Sequence, residues 1–153
     1  MSSGRILFLS LSILFSLAIV PPRDGGAFPF GRFKDVRPVG GEVRIPLSDL
    51  SGGTARFYRL RDRGKEIAFF AVTDSRGVVK VAFDACDACW REKKGYRQEK
   101  GGMKCQNCGQ KFPADRLGPN VTGGCNPGHL PHAVRGGEVV IRVDDIQRGA
   151  RYF

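Results

Sequence analysis

Two pairs of cysteines are the residues of this sequence that are best suited to chemistry. Cys86 and Cys89 form one C-x-x-C pair, and Cys105 and Cys108 form a second pair after fifteen intervening residues. Each such turn places two sulfur atoms close together, and this paired spacing is typical of a four-thiolate metal site. Thiolates select zinc, a single iron or an iron–sulfur cluster. The spacing therefore predicts a metal centre and leaves the metal open.

A fifth cysteine, Cys125, follows two glycines and precedes His129 and His132. An unused thiol is a liability in an oxidising compartment, so we expect Cys125 to be a further ligand or to lie against the centre. A separate site formed by Cys125 with both histidines is an alternative, because imidazole and thiolate together suit zinc, copper or iron. We expect the histidines to be solvated loop residues, since they lie among prolines and glycines.

The N-terminus has the layout of an export signal. Residues 6–20 are uncharged and apolar apart from three serines, Arg5 precedes them, and Pro21-Pro22 follows. The run is short for a membrane span. No clean small-x-small cleavage site lies near Val20, so the segment can instead stay on as an N-terminal anchor. The predicted division of the chain is a signal peptide or N-terminal membrane anchor at 1–27, a Pro/Gly-rich tether at 28–41 and a metal-binding domain at 42–153.

This division places the domain outside the cytoplasm, either membrane-anchored or periplasmic. Paired cysteines in such compartments are more often disulfides than metal ligands. Five cysteines cannot all pair in disulfides, so a pure disulfide framework would leave one cysteine unpaired. The paired C-x-x-C spacing therefore favours the metal site.

The chain is strongly basic, with a formal net charge of +10. Export argues against nucleic acid as a partner, and a soluble basic surface is the simplest interpretation. A second interpretation is attraction to an anionic membrane surface or to an acidic partner. Between the cysteine pairs, basic residues are dense enough to offset the charge of thiolates: Arg91, Lys93, Lys94, Arg97, Lys100 and Lys104.

Short runs rich in β-branched and aromatic residues predict a β-rich fold that is mainly antiparallel sheet. Asp74 to Gly77 reads as a hairpin turn between the last two runs, and the final run leads directly to Cys86. The predicted strands lie in residues 42–45, 55–60, 66–73 and 78–83.

Residues 84–133 hold all five cysteines and many prolines and glycines, which predicts a cysteine-rich, loop-dominated metal-binding insert. Within it, residues 90–94 are expected to form one helical turn, with Asp84 as a candidate N-cap. Tyr96 and Phe112 are expected to shield the metal from water.

The two ends of the domain resemble each other. Residues 42–50 (EVRIPLSDL) and 138–146 (EVVIRVDDI) each combine a short strand-like run with an aspartate-bearing turn, and a glycine and an aromatic pair follow each. Similar strand–turn units are common, which is the simpler explanation. The more specific explanation is that the two ends pair in one sheet and bracket the insert. It also predicts that Tyr152 and Phe153 are packed against the domain and not frayed.

Several segments in combination resemble the FtrD-like membrane iron–sulfur protein family. They are residues 81–89, 94–98, 105–112 and 123–127, with Phe69-Phe70 and residues 150–153 in support. The resemblance implies an iron–sulfur cluster, a membrane location and a link to iron transport. It also implies a set of metal residues without the histidines: Cys86, Cys89, Cys105, Cys108 and Cys125.

The N-terminus favours a different metal centre from the one that the resemblance implies. Iron–sulfur proteins are usually loaded in the cytoplasm and exported folded behind a twin-arginine signal, whereas this N-terminus has Arg5 alone. A chain threaded unfolded collects its metal outside, which makes zinc or mononuclear iron the alternatives to the iron–sulfur cluster.

The sequence therefore predicts an exported, membrane-associated metal-binding protein that handles electrons or iron beside a membrane iron-transport or redox complex. One alternative is a dithiol oxidoreductase with thioredoxin-like chemistry at Cys86 and Cys89, which leaves Cys105 and Cys108 without a role. Another is a zinc-stapled module for protein contacts without catalysis.

Overall fold

The computed structural model describes Met1, residues 31–121 and residues 123–153. The predicted signal or anchor, apart from Met1, lies outside the described residues. No helix within the described ranges is both long and apolar enough to cross a membrane. The strands are β1 (Lys34–Asp35), β2 (Glu42–Pro46), β3 (Arg56–Asp62), β4 (Lys65–Thr73), β5 (Val79–Phe83), β6 (Tyr96–Glu99), β7 (Gly102–Cys105), β8 (Lys111–Pro113), β9 (Ala133–Arg135) and β10 (Glu138–Arg142).

The helical elements are short. An α-helix, α1 (Val143–Arg148), follows β10 directly. Tight 3₁₀ segments span Leu47–Gly53, Trp90–Glu92, Ala114–Arg116 and Gly149–Tyr152. The described chain is thus mostly antiparallel sheet, as the composition of its runs predicts.

The main sheet has the strand order β1-β3-β4-β5. Strands β3, β4 and β5 pair antiparallel, and β1 adds a short parallel edge to β3. Between β4 and β5, the Gly77 N–H donates to the Asp74 carbonyl at 3.0 Å, and Gly77 has a φ of 78°. The predicted hairpin turn is confirmed, because glycine takes this left-handed conformation without steric cost.

Strand β4 is buried on both faces. Ile67, Phe69 and Ala71 belong to one hydrophobic core, whereas Phe70 and Val72 belong to another. Successive side chains of a strand point to opposite faces, so the run that looks uniformly apolar in the sequence serves two cores in alternation. The cysteine-bearing layer forms the second of these cores.

A second sheet, with the order β2-β10-β9, covers the first core. Strands β2 and β10 pair antiparallel, with Val43 opposite Ile141. The interpretation that the two similar ends pair in one sheet is confirmed. Tyr152 is also buried and packs on Phe83 with ring centroids 5.9 Å apart, while Phe153 is partly buried against the same core.

The cysteine-rich insert contains a third sheet, β6-β7-β8, where the sequence pattern predicts loops. Its strands are only three or four residues long, which hides their periodicity. Lys100 and Gly101 connect β6 to β7 with φ values of 47° and 74°, the pattern of a two-residue hairpin turn. The small sheet is held by its buried face, where Met103 lies opposite Phe112.

Residues 31–41, the described part of the predicted tether, contact the main sheet. The Val36 N–H donates to the Arg59 carbonyl at 2.9 Å, and the Arg32 guanidinium binds the Asp84 carboxylate at 3.1 Å. The domain boundary at residue 42 stays a prediction, and these contacts fasten the segment before it to the fold.

Candidate metal centre

The first cysteine pair follows β5 directly. The Cys89 N–H donates to the Cys86 sulfur at 3.3 Å, and the Trp90 N–H donates to the Cys86 carbonyl at 3.2 Å. These bonds close a tight turn that brings both sulfurs to one side of the chain. The strand fixes where the turn begins, because the Asp84 N–H is bonded to the Ala68 carbonyl of β4 at 2.9 Å.

The second cysteine pair lies at the end of β7. Cys105 is the last residue of this strand, and the Gly109 N–H donates to its carbonyl at 3.0 Å. Gly109 has a φ of 77°, so the chain can turn back immediately after Cys108. Backbone N–H groups of Asn107 and Cys108 point at the Cys105 sulfur. Both pairs therefore use backbone donors to hold a sulfur in place.

The five sulfurs lie together in two overlapping groups. Cys86, Cys89 and Cys125 form one group, and Cys89, Cys105 and Cys108 form the other; within each group all sulfurs lie within 4.8 Å of one another. Cys89 belongs to both groups, and its sulfur is 3.5 Å from that of Cys125. The structure thus brings together all five predicted residues, and their binding of a metal stays a prediction.

The cluster is closed on one side and open on the other. Cys86 and Cys105 are buried, Cys89 and Cys125 are half-buried, and Cys108 is exposed. This gradient gives a dry interior with an edge that solvent or another protein can reach.

The dry side is lined by the aromatic and apolar side chains of the second core. Tyr96 and Phe112 both belong to it, as the shielding prediction requires. The Tyr96 hydroxyl also donates to the Cys125 carbonyl, and the Ala88 N–H donates to the Gly124 carbonyl at 3.1 Å. These two bonds anchor the Cys125 loop to the rest of the insert.

The thiols differ in acidity because their surroundings differ. The Gln110 N–H points at the Cys108 sulfur and lowers the pKa of that thiol to about 7. Desolvation raises the pKa of Cys105 to about 11. Cys125 donates toward Cys108 and is also desolvated, and both effects raise its pKa. Cys108, at the open edge, is thus the more acidic of these thiols.

A cavity of about 230 Å³ reaches the cluster from the side of Arg32 and Phe33. Its wall includes the sulfur-bearing residues Cys86, Cys89 and Cys105 together with Trp90 and Lys93. The Lys93 ammonium lies 5.3 Å from the centre of the Trp90 ring and donates to the Tyr152 carbonyl at 2.9 Å, so a cation and an aromatic ring lie together in the wall of this cavity.

Asp84 also lines this cavity and has a different role from the predicted one. The 3₁₀ segment after the first pair begins beyond Cys89, so Asp84 is not its N-cap. Its carboxylate instead accepts the Tyr96 N–H at 2.7 Å and pairs with Arg32. Burial raises the pKa of Asp84 to about 7 against the opposing effect of Arg32. No local pattern in the sequence indicates these contacts, because the partners of Asp84 are 12 and 52 residues away.

The basic residues between the cysteine pairs are partly neutralised by one carboxylate. Glu99 forms ion pairs with Arg97 and Lys104 at 3.4 Å each and with Lys111 at 2.9 Å. The hydrogen bond from Lys111 is the largest cause of a lowered Glu99 pKa. Lys94 instead donates to the Asn107 side chain within the second cysteine turn, at 3.1 Å.

The two histidines are not the solvated loop residues that the sequence suggested. Both are half-buried, because the segment that carries them pairs with the edge of β5. The His132 ring lies 3.0 Å from the Leu130 carbonyl and 3.3 Å from the Val79 carbonyl. Burial lowers the pKa of His129. In the described ranges, the side-chain groups that could jointly hold a metal contain cysteines alone, so the alternative Cys125–histidine site has no support.

Residues 50–153 match the sequence model of a family described as membrane iron-sulfur containing protein FtrD-like. The chain belongs to this family. The matched region includes all five cysteines, and the resemblance noted in the sequence is confirmed. No curated protein matches the chain.

The donors present fit the iron–sulfur group that the family description names. The five sulfurs are soft ligands, and backbone N–H groups at both turns stabilise their charge. The apolar shell around Cys86 and Cys105 excludes water from the inner side. Thiol donors of this kind also fit zinc or mononuclear iron.

Proposed function

We propose that this protein holds iron, as an iron–sulfur centre, at its five-cysteine cluster and handles electrons or iron outside the cytoplasm beside a membrane iron-transport or redox complex. The observation that carries the proposal is the convergence of five thiols from three separate segments on one site. The family description, which names iron–sulfur and membrane, gives independent support.

The open edge of the cluster suits exchange with a partner. Cys108 is exposed, whereas Cys86 and Cys105 are almost fully covered, with exposed fractions of 1% and 2%. A partner that approaches Cys108 reaches the sulfurs without any rearrangement of the core. Lys94 lies beside this edge through its bond to Asn107, which favours an acidic partner surface. An anionic membrane surface is a second candidate for the basic chain.

Dithiol oxidoreductase chemistry at Cys86 and Cys89 is less well supported. A nucleophilic thiolate must be accessible, and Cys86 is buried. The described helical elements include no long helix after this pair, since the following 3₁₀ segment is only Trp90–Glu92. A zinc-stapled module would use the same sulfurs, so only the metal and its redox behaviour separate that function from the proposed one.

The test is a redox titration of the full chain, purified without oxygen and with its N-terminal segment, followed by visible absorption and electron paramagnetic resonance. We expect bound iron and a reversible one-electron transition that is lost in Cys105→Ser. Ser51→Ala, at an exposed site outside both cysteine groups, is the matched control and should keep the transition.

Two other results would contradict the proposal. Tightly bound zinc without a redox transition would support the structural module. A two-electron thiol–disulfide transition in a metal-free protein would support the oxidoreductase.

A further inference from the structure

We infer that the cluster has two metal positions and that the Cys89 thiolate is shared between them. The inference rests on the proposed function in one respect, namely that the cysteines bind metal. It concerns the number of ions and the role of one ligand, which the family description does not specify.

The spacing of the sulfurs is the first argument. Thiolates on one tetrahedral ion with metal–sulfur bonds near 2.3 Å are about 3.8 Å apart. Each of the two three-sulfur groups keeps its members within 4.8 Å, which is close to this spacing. Among the described residues, no four sulfurs form one such group, and the four sulfurs of the C-x-x-C pairs are divided between the two. A single four-thiolate ion therefore fits the arrangement less well than two ions side by side.

The position of Cys89 is the second argument. Its sulfur is the member common to both groups, the one with Cys86 and Cys125 and the one with Cys105 and Cys108. It is half-buried, which places it between the covered and the open parts of the cluster. A soft thiolate in this place can bind an ion on either side.

The loop that carries Cys125 supplies the third argument, because the structure anchors it independently of any sulfur. The Tyr96 hydroxyl holds the Cys125 carbonyl, and the Ala88 N–H holds the Gly124 carbonyl. With Cys125 fixed, the first group has three thiolates: those of Cys86 and Cys125, which belong to it alone, and the shared one of Cys89. Each position then has three protein ligands, which leaves a fourth tetrahedral place for an external ligand.

The test uses cadmium, a thiophilic ion with a magnetic isotope, on the full chain. The reduced, metal-free protein is reloaded with ¹¹³Cd²⁺ without oxygen, and cysteine β-protons are correlated with cadmium by NMR. We expect two cadmium resonances and two bound ions per chain by native mass spectrometry. The β-protons of Cys89 should correlate with both resonances, and those of every other cysteine with one.

A single cadmium ion, or two ions with no shared cysteine, would overturn the inference. Either result would leave the proposed function intact. If the protein instead binds zinc, shows no redox transition and still shares Cys89 between two ions, only the proposed function is contradicted. The two failures are therefore distinguishable.

Single variants give a second readout. Cys89→Ser should weaken both ions, while Cys86→Ser, the matched control in the same turn, should weaken only one and leave the resonance bound by Cys105 and Cys108. The bridging role would be contradicted if both variants lost the two ions equally and if the β-protons of Cys89 in the wild type correlated with only one cadmium resonance.

Discussion

The sulfurs of Cys89 and Cys125 lie 3.5 Å apart, although the two residues are separated by 36 positions in the chain. This contact joins the first cysteine turn to the Gly-rich loop and makes Cys125 part of the cluster. It also places two thiols close enough to react with each other when no metal separates them.

We expect Cys89 and Cys125 to form a disulfide when the metal-free protein is treated with oxidised glutathione. Two thiols lose two protons and two electrons, and glutathione disulfide is reduced to two thiols. Peptide mapping without reduction should find this cross-link in the metal-free protein and not in the metal-loaded protein. A dominant Cys86–Cys89 or Cys105–Cys108 bridge would contradict the geometry.

The acidity of Cys108 predicts selective alkylation. Its pKa is lowered to about 7 by the Gln110 N–H, whereas desolvation raises that of Cys105 to about 11. Since the thiolate is the reactive form, iodoacetamide should modify Cys108 with a rate that rises through about pH 7 in reduced, metal-free protein. Mass spectrometry at a series of pH values measures both sites. Cys105 is the internal control, and equal rates at the two sites would refute the assignment.

Two glycines test the packing of the first core around Phe83. A Cβ on Gly149 would lie 2.1 Å from an atom of the Phe83 ring, whereas one on Gly128 would lie 3.3 Å from the same ring. Neither residue needs a positive φ, so steric fit decides the outcome. We expect Gly149→Ala to lower the free energy of unfolding by about 2–3 kcal/mol and Gly128→Ala by about 1 kcal/mol or less. Chemical denaturation measures both, and similar losses would argue against the close approach.

Asp84 predicts a pH dependence of stability. Burial raises its pKa from 3.8 to about 7, so the folded state holds a proton that the unfolded state releases. The stability contributed by protonated Asp84 is complete below about pH 4 and is lost as the pH rises through about 7. Asp84→Asn removes this titration and keeps an acceptor for the Tyr96 N–H.

The free energy of unfolding of the wild type, minus that of Asp84→Asn, should therefore decrease between pH 4 and pH 7 in reduced, metal-free protein. Denaturation at several pH values measures this difference, and other titrating groups cancel in it. A difference that grows with pH would mean that Arg32 dominates and that the carboxylate is stabilised by folding.

The parts of the fold that could be predicted are those with a clear local pattern in the sequence. The dense β-branched and aromatic runs at β4 and β5 favour strands, and these do form; the similar ends at β2 and β10 also pair. The cysteine spacing identified the residues that converge.

Other features depend on contacts that no local pattern encodes. Strands β6, β7 and β8 are too short to show a period, and their pairing depends on burial of Met103 against Phe112. The histidines are half-buried only because a Pro/Gly segment adds to the edge of β5. The sharing of Cys89 between two groups follows from how the Cys125 loop packs, which spacing cannot specify.

Iron binding by the five-cysteine cluster is tested most directly by the metal content and visible absorption of the full chain, purified without oxygen after expression with iron supplied, in the wild type and in Cys89→Ser. We expect bound iron with sulfur-to-iron charge-transfer absorption in the wild type and loss of both in the variant. A wild-type protein without iron, or one whose iron and spectrum survive Cys89→Ser unchanged, would contradict it.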